Sequence, residues 1–358
     1  MGLQQKWMAV CLVLWLAPAS LALAAATDAA AEAPASEPAA ETDGEALRRV
    51  PRLTLNGDVA GDLKSFRTQY EDTFAEIGNR LSLGYLELVK ANPGVDPWLP
   101  GEGTTITLPR QYVMPEAPRE GIVVNLAEYR LYYFRDDGVE VYPVGVGTEE
   151  NPSPLTNATV KMSLESPAWY PPASIRAEYE ASGDYLPRMI PPGPDNPLGP
   201  YALLLSEAGY LIHGTNKRFG VGMQVSHGCF RMYNEDISFL ANQVAKGTSV
   251  RIIHQPVKVG VNGDEIWLEV HRPKEKYHEA DREQLWQAVS ARLEQLRETM
   301  PNVEIQRQAV ESAVDQGDGI PRLIGERLTR LALDDRSGEA GVDPAAGDTP
   351  PRSPQLWF

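Results

Sequence analysis

Cysteine is nearly absent, with two in 358 residues, Cys11 and Cys229. Cys11 lies in an opening stretch that reads as an export signal over residues 1–24. Lys6 gives the positive start, Trp7 to Ala17 the apolar core, Pro18 a break and Ala22-Leu23-Ala24 a small-residue cleavage site. Val10 stands where a lipid-modified cysteine has a small residue before it, which argues against an anchor on Cys11. Cleavage near Ala25 leaves Cys229 with no partner for an internal disulfide. An unpaired thiol in an oxidising compartment is a liability unless it reacts, so the cysteine count favours a nucleophile over an inert buried sulfur. Long apolar runs are also missing. Spanning a bilayer takes about twenty apolar residues, and the signal core is shorter, so no transmembrane segment is expected in the mature chain. Positive charge is scarce, with 33 Lys and Arg against 49 Asp and Glu, a formal net charge of -16 and a pI near 4.8. That balance argues against gripping nucleic acid through its phosphates. Internal repeats are lacking too.

What is present divides the chain. Residues 25–52 are mostly Ala, Pro, Glu, Thr and Asp, a composition that cannot bury enough apolar surface to fold and is expected to be a disordered tether. Residues 335–358 are expected to be a disordered tail, and their final Leu356-Trp357-Phe358 has no explanation. Over residues 64–110, Phe74, Ile77 and Leu81 repeat at helical spacing, as do Tyr85, Leu88 and Val89, with Asp72 and Ser82 at the N-cap positions. Strand-like runs at Phe66 to Tyr70 and Thr104 to Leu108 complete a strand, helix, helix, strand order. On Asp72-Thr73-Phe74, Ala91-Asn92-Pro93-Gly94 and Leu108-Pro109 this unit resembles a LysM module, a small glycan-binding fold, although Glu71 replaces the usual glycine. The resemblance implies glycan binding, and a packing or spacer role stands beside it.

Residues 119–254 are β-rich, with strand-like runs at Ile122 to Asn125, Arg130 to Phe134, Val139 to Val146, Tyr201 to Leu205, Tyr210 to His213 and Ser249 to Ile253. They predict a mixed or antiparallel sheet folded over on itself, covered by a helix over Glu235 to Val244. Pro167 to Pro200 is so rich in proline that it reads as a stiff loop, either a lid carrying Trp169 and Tyr170 or a rigid connector. Residues 255–334 read as a hairpin turning at Asn262-Gly263-Asp264 and a helical extension. Its stripe of Leu285, Trp286, Val289, Leu293 and Leu296 stops before Pro301.

The chemistry concentrates between His213 and Arg231, where Cys229, His213, His227 and several glycines fall within nineteen residues. A thiol attacks carbonyls as a thiolate, and a nearby imidazole is expected to lower its pKa from the ordinary value of about 8.5. Gly228, without a Cβ, permits a sharp turn beside Cys229 and a close approach to main-chain N–H groups suited to an oxyanion. Two other readings remain open at this point. His213 alone could be a satisfied core histidine, and His213, His227 and Cys229 are together a potential zinc ligand set.

Ser226-His-Gly-Cys-Phe-Arg231 preceded by His213-Gly-Thr resembles the signature of the YkuD-type L,D-transpeptidases. The likeness runs from about Thr68 to Arg272 through Gly121-Ile-Val-Val-Asn-Leu126, Val144-Gly-Val-Gly147 and Trp169-Tyr-Pro-Pro172, and is similar to the periplasmic, lipoprotein-anchoring branch. It implies a mainly β, sandwich-like catalytic domain with a small α+β LysM-like domain and a C-terminal hairpin plus helical extension. It also implies attack on the bond between meso-diaminopimelate and D-Ala of a peptidoglycan tetrapeptide stem. The acyl group passes through a thioester to an amine, without metal or other cofactor. The acceptor is a lysine of an outer-membrane lipoprotein or β-barrel protein, a second stem (3-3 cross-linking) or water, and trapping by carbapenems is implied as well. In this frame Cys229 is the nucleophile, His213 its base and Gly214 the carbonyl that orients His213. The N–H groups of Gly228 and Cys229 hold the oxyanion. Ser226 and His227 fix the loop, and Arg231, Trp169 and Tyr170 meet substrate. Ser153-Pro-Leu-Thr156 departs from the family's Thr-Pro-x-Gly, and the lost glycine is expected to alter a turn near the site. A rival reading is a non-catalytic peptidoglycan-binding protein.

Overall fold

A computed structural model describes residues 49–272 and 279–328. The export signal, most of the tether and the tail expected over residues 335–358 lie outside them. Where the tether was expected to reach residue 52, the chain is already packed. Arg49 pairs with Asp236 at 2.7 Å, and Arg52–Leu53 forms an edge strand opposite Glu140 and Val139.

The central sheet has nine strands. Their order is Arg52–Leu53, Gly138–Pro143, Arg130–Arg135, Gly121–Asn125, Ser249–Ile253, Thr156–Glu165, Tyr201–Leu205, Leu211–His213 and Phe230–Arg231. Most pairs are antiparallel. Gly121–Asn125 with Ser249–Ile253, and Leu211–His213 with Phe230–Arg231, run parallel, giving a mixed, curled sheet. Gly121–Asn125 is buried on both faces, which explains its unbroken apolar run. Ile122 and Val124 face a core with Leu203, Ile212 and Phe230, closed by Ile237 and Leu240 of the helix Asn234–Ala241. Val123 faces a second core with Tyr132, Phe134 and Val141.

Lys64–Arg67 pairs antiparallel with Thr105–Leu108, and the helices Phe74–Leu81 and Tyr85–Ala91 lie between them in sequence. Phe74, Ile77, Leu81, Leu88, Ile106 and Leu108 form the core of this βααβ unit. Both expected caps are displaced. Thr73, not Asp72, caps the first helix by accepting the Glu76 N–H, while Asp72 accepts from Gln69 N–H and pairs with Arg80. Ser82 ends that helix in the left-handed region at φ 53°, and Gly84 starts the next. Asn92 then ties the second helix to the closing strand through Leu88 O and both backbone groups of Thr107.

Beyond the sheet, Val257–Asn262 and Glu265–Val270 form a hairpin turned at Gly263-Asp264. Arg322–Arg327 and Val303–Ile305 extend it to four strands, so the C-terminal part is α+β rather than a hairpin with helices alone. Leu285, Val289 and Leu293 of the helix Glu279–Thr299 pack on it with Val310 and Val314 of Arg307–Gln316. No helix among the described residues is long and apolar enough to cross a membrane.

A buried ion network joins the three parts. Arg130 donates to Glu87 at 2.6 Å, Glu128 at 2.9 Å and Glu269 at 2.6 Å. Lys258 reaches Glu128 at 2.7 Å and Glu269 at 3.1 Å. Glu87 belongs to the βααβ unit, Arg130 to the sheet and Glu128 to the turn just before it, and Lys258 and Glu269 to the hairpin. The basic neighbours hold the Glu269 carboxyl well below its ordinary value against the opposing effect of burial.

Candidate active site

The site stands at the end of the sheet where Leu211–His213 runs parallel to Phe230–Arg231. Ile212 lies opposite Phe230, and His213 opposite Arg231. Ile212 and Phe230 enter the core. Side chains alternate along a strand, so His213 and Arg231 project to the other face together, and Cys229 stands immediately before the strand Phe230–Arg231. Arg231 acts electrostatically on both His213 and Cys229.

His213 is buried, and its Nδ1 lies 2.7 Å from the Gly214 carbonyl. A carbonyl only accepts, so Nδ1 carries the proton and Nε2 keeps the lone pair. Burial lowers the imidazole pKa to about 4, with Arg231 adding to the effect and the Gly214 and Pro197 backbones only partly offsetting it, so the ring is neutral at pH 7. Gly214 has no room for a side chain. A Cβ there would stand 2.5 Å from Asn234 Oδ1, which accepts the Thr215 N–H at 2.8 Å.

Cys229, the one cysteine among the described residues, is half-buried and unpaired. Its Sγ lies 3.6 Å from the Gly209 carbonyl. Burial pushes the thiol above its ordinary value, and the Leu211 backbone and Arg231 only offset this. The expected lowering by a neighbouring imidazole is therefore not found. A neutral, buried His213 offers no positive charge to stabilise a thiolate.

Gly228 takes φ +105°, where a Cβ would meet Tyr210 Cε1 at 3.0 Å, so glycine is required at this turn. Ser226 Oγ closes the loop by donating to Cys229 O at 2.6 Å and accepting the Gly228 N–H at 3.1 Å. The Gly228 N–H, expected to serve an oxyanion, is thus already engaged. Sequence reasoning missed the part played by Ser153. Its Oγ donates to Gly228 O at 2.8 Å and accepts the Gly147 N–H at 3.0 Å. Thr156, at the place of the lost glycine, opens the strand Thr156–Glu165 and is not among the residues with positive φ.

The proline-rich insert contains a helix, Ala173–Ala181, that its composition did not predict. Nine residues free of proline and glycine suffice for two turns between the proline clusters. The insert is anchored by Asn196, whose Nδ2 donates to the carbonyls of Pro167 and Pro191 at 2.9 and 3.0 Å. Trp169 exchanges two backbone bonds with Ile190 at the base of the insert, and Tyr170 is 71% exposed. His227 Nε2 lies 2.9 Å from Glu178 Oε2, which links the insert to the cysteine loop. No local signal marks Glu178.

Arg231 is half-buried, and its Nε is buried without a hydrogen-bond partner. The guanidinium therefore has an unused donor. A shared metal site for His213, His227 and Cys229 does not fit this geometry, because His227 turns out to Glu178. The metal-capable trio among the described residues is Glu128, Glu269 and His271, with ligand atoms within 4.8 Å of one another. Lys258 and Arg130 already compensate those carboxylates.

Residues 119–252 match the family model described as the L,D-transpeptidase catalytic domain, YkuD. The chain is 46% identical over 205 residues to the probable L,D-transpeptidase YcfS of Escherichia coli, covering 55% of this chain and 64% of that protein. It is 46% identical over 210 residues to the probable L,D-transpeptidase ErfK/SrfK of Salmonella typhimurium, covering 58% and 67%. Against the putative L,D-transpeptidase YkuD of Bacillus licheniformis it is 32% identical over 166 residues, covering 46% of this chain and 84% of that one. The chain thus spans a little under two thirds of the length of YcfS. With the matched segment coinciding with the sheet and loop that carry His213 and Cys229, the chain belongs to the YkuD-type L,D-transpeptidase family.

Proposed function

We propose that the protein is a cysteine L,D-transpeptidase of the periplasm, acting on peptidoglycan tetrapeptide stems. The observation that supports this reading is that Cys229 immediately precedes the strand paired with that of His213, while His213 Nδ1 is tied to Gly214 O, which leaves Nε2 as the basic nitrogen. His213 Nε2 takes the thiol proton as Sγ attacks the carbonyl of meso-diaminopimelate. The proton moves during attack, because both groups rest in their neutral forms. The oxyanion is held by the Cys229 N–H, since the Gly228 N–H is committed to Ser226. The C–N bond to D-Ala then breaks, His213 returns the proton to the departing amine, and a thioester remains. An acceptor amine attacks the thioester, gives its proton to His213 and frees Sγ.

Arg231 receives a stem carboxylate through its guanidinium, a planar fork suited to that anion. Trp169 and Tyr170, at the base of the insert, are the aromatic residues that meet substrate in this reading. The acceptor is a lysine amine of an outer-membrane lipoprotein or β-barrel protein, in keeping with the resemblance to the lipoprotein-anchoring branch. The βααβ unit has the strand, helix, helix, strand order of a LysM module. Carbapenems are expected to acylate Cys229, their strained ring standing in for the donor. Incubating the protein with tetrapeptide muropeptides, with and without a lysine-bearing acceptor, and resolving the products by mass spectrometry tests the reading. The expected product is a stem joined to lysine. A product formed only between stems, or tripeptide alone, moves the acceptor to a second stem or water, and untouched donor refutes the reaction.

A further inference from the structure

One peptide group joins His213 to the helix Asn234–Ala241. Its carbonyl, Gly214 O, accepts from His213 Nδ1 at 2.7 Å, and its N–H, on Thr215, donates to Asn234 Oδ1 at 2.8 Å. Both ends of a single amide are thus engaged, and each bond polarises the group in favour of the other. The Thr215 N–H requires an acceptor, so the Asn234 amide presents its oxygen there. Thr215 is buried, and without Asn234 its N–H would be left unpaired. Two glycines clear the space. A Cβ on Gly214 or on Gly199, whose φ is +66°, would stand 2.5 Å from Asn234 Oδ1. Gly199 lies at the end of the proline-rich insert, so insert, histidine strand and helix converge on one side-chain oxygen. Asn234 is itself held from the βααβ unit. Tyr233 OH, one residue before it, donates to Leu83 O at 3.2 Å, and Asp236, two residues after it, accepts from Ser82 Oγ at 2.7 Å. Ser238 Oγ donates to the Asn234 carbonyl at 2.7 Å.

We propose that Asn234 is a positioning residue for His213, holding the imidazole through the Gly214–Thr215 peptide in one orientation with its proton on Nδ1, an inference whose catalytic consequence rests on the transferase reading above. A peptide group turns about the bonds on either side of it. With the Thr215 N–H fixed by Asn234, the Gly214 carbonyl keeps the direction that His213 Nδ1 needs. Without that bond the carbonyl loses its fixed direction, and the imidazole proton distributes between its two nitrogens. A ring protonated on Nε2 has no lone pair there for the thiol proton. Asn234 therefore acts at one remove, on the state of the base rather than on substrate. The contacts from Ser82 and Leu83 give the βααβ unit a part in the same arrangement, since they fix the start of the helix from which Asn234 reaches Thr215.

The test compares full-length wild type, Asn234→Ala and Asn234→Asp by nitrogen NMR of isotope-labelled histidine rings, with the His213 signals assigned by their loss in His213→Gln. Wild type at neutral pH is expected to show a neutral ring with its proton fixed on Nδ1. In Asn234→Ala the two ring-nitrogen signals should draw together as the tautomers mix. Asn234→Asp keeps an acceptor of the same shape and should restore the fixed pattern. In the kinetics of D-Ala release, Asn234→Ala should lower kcat about 10–100-fold, the range for losing a partner that orients an imidazole at one remove. KM should not change, and Asn234→Asp should recover most of the rate. A fixed Nδ1–H ring in Asn234→Ala, however far its rate or stability falls, makes Asn234 a helix anchor only and overturns the proposal. A ring that stays mixed in Asn234→Asp overturns it as well. Should Asn234→Ala not fold, wild type and Asn234→Asp decide, and a wild-type ring protonated on Nε2 is a refutation by itself. Should wild type release no D-Ala, the transferase reading fails, and the ring spectra alone still decide the positioning role.

Discussion

Ser153 holds the carbonyl of Gly228 at 2.8 Å from a position seventy-five residues earlier in the chain. The same hydroxyl accepts the Gly147 N–H, so one side chain ties the cysteine turn to the neighbouring strand. Replacing it with alanine leaves a buried carbonyl and a buried N–H unpaired. Ser153→Ala should cost about 1–3 kcal/mol in chemical denaturation and slow acylation of Cys229 without changing which residue is acylated. Ser153→Thr, which keeps the hydroxyl, should recover most of both.

His213 should set an unusually acidic limb in the pH profile. Burial disfavours its cation, so the imidazole stays neutral and basic down to about pH 4 rather than 6.5. As pH falls through that value the ring gains a proton, and the acceptor for the thiol proton is lost. The kcat/KM for D-Ala release should therefore hold between pH 5 and 7 and decline near pH 4. A limb near 6.5 would show an exposed imidazole instead. His213→Ala should lower the rate by about 10²–10⁴ at every pH.

Arg231 should discriminate donors by their carboxylates. Wild type is expected to turn over a stem with its carboxylates amidated less well than the free acid. Arg231→Lys keeps the charge but loses the planar fork, and should raise KM about tenfold, a difference near 1.4 kcal/mol. Steady-state kinetics with both donors checks this, and equal KM values for the two donors with wild type would remove Arg231 from the binding role.

Lys258 is predicted to matter for folding, not chemistry. It lies opposite Glu269 in the hairpin register and reaches Glu128 as well. Lys258→Met strands buried carboxylates and should destabilise by about 3–5 kcal/mol in urea denaturation. Glu178→Gln, by contrast, alters a pair about half-exposed on both sides, and should change stability by less than about 1 kcal/mol.

The sequence made some of this legible and hid the rest for physical reasons. Gly228 could be read because glycine accepts most readily the positive φ of the turn beside Cys229. The strands at Gly121–Asn125 and Tyr201–Leu205 announced themselves as apolar runs. Thr156–Glu165 did not, since in its ten residues Ala158 and Val160 alone are buried. The helix Ala173–Ala181 was masked by the prolines around it. The direction of the Cys229 shift was misread because a motif reports which groups are neighbours, not how deeply they are buried. The ion network escaped notice because Arg130 and Glu269 are 139 residues apart, although the Gly263-Asp264 turn already fixes Lys258 opposite Glu269.

The central claim is that Cys229 carries the acyl group. Rapid-quench intact mass analysis of the protein with a tetrapeptide stem, followed by digestion and mapping, tests it most directly. The account predicts a mass gain of the tripeptide acyl group on the peptide containing Cys229, one equivalent of D-Ala released with it, and neither in Cys229→Ala. D-Ala release that persists in Cys229→Ala, or an acyl group mapped to another residue, would contradict it.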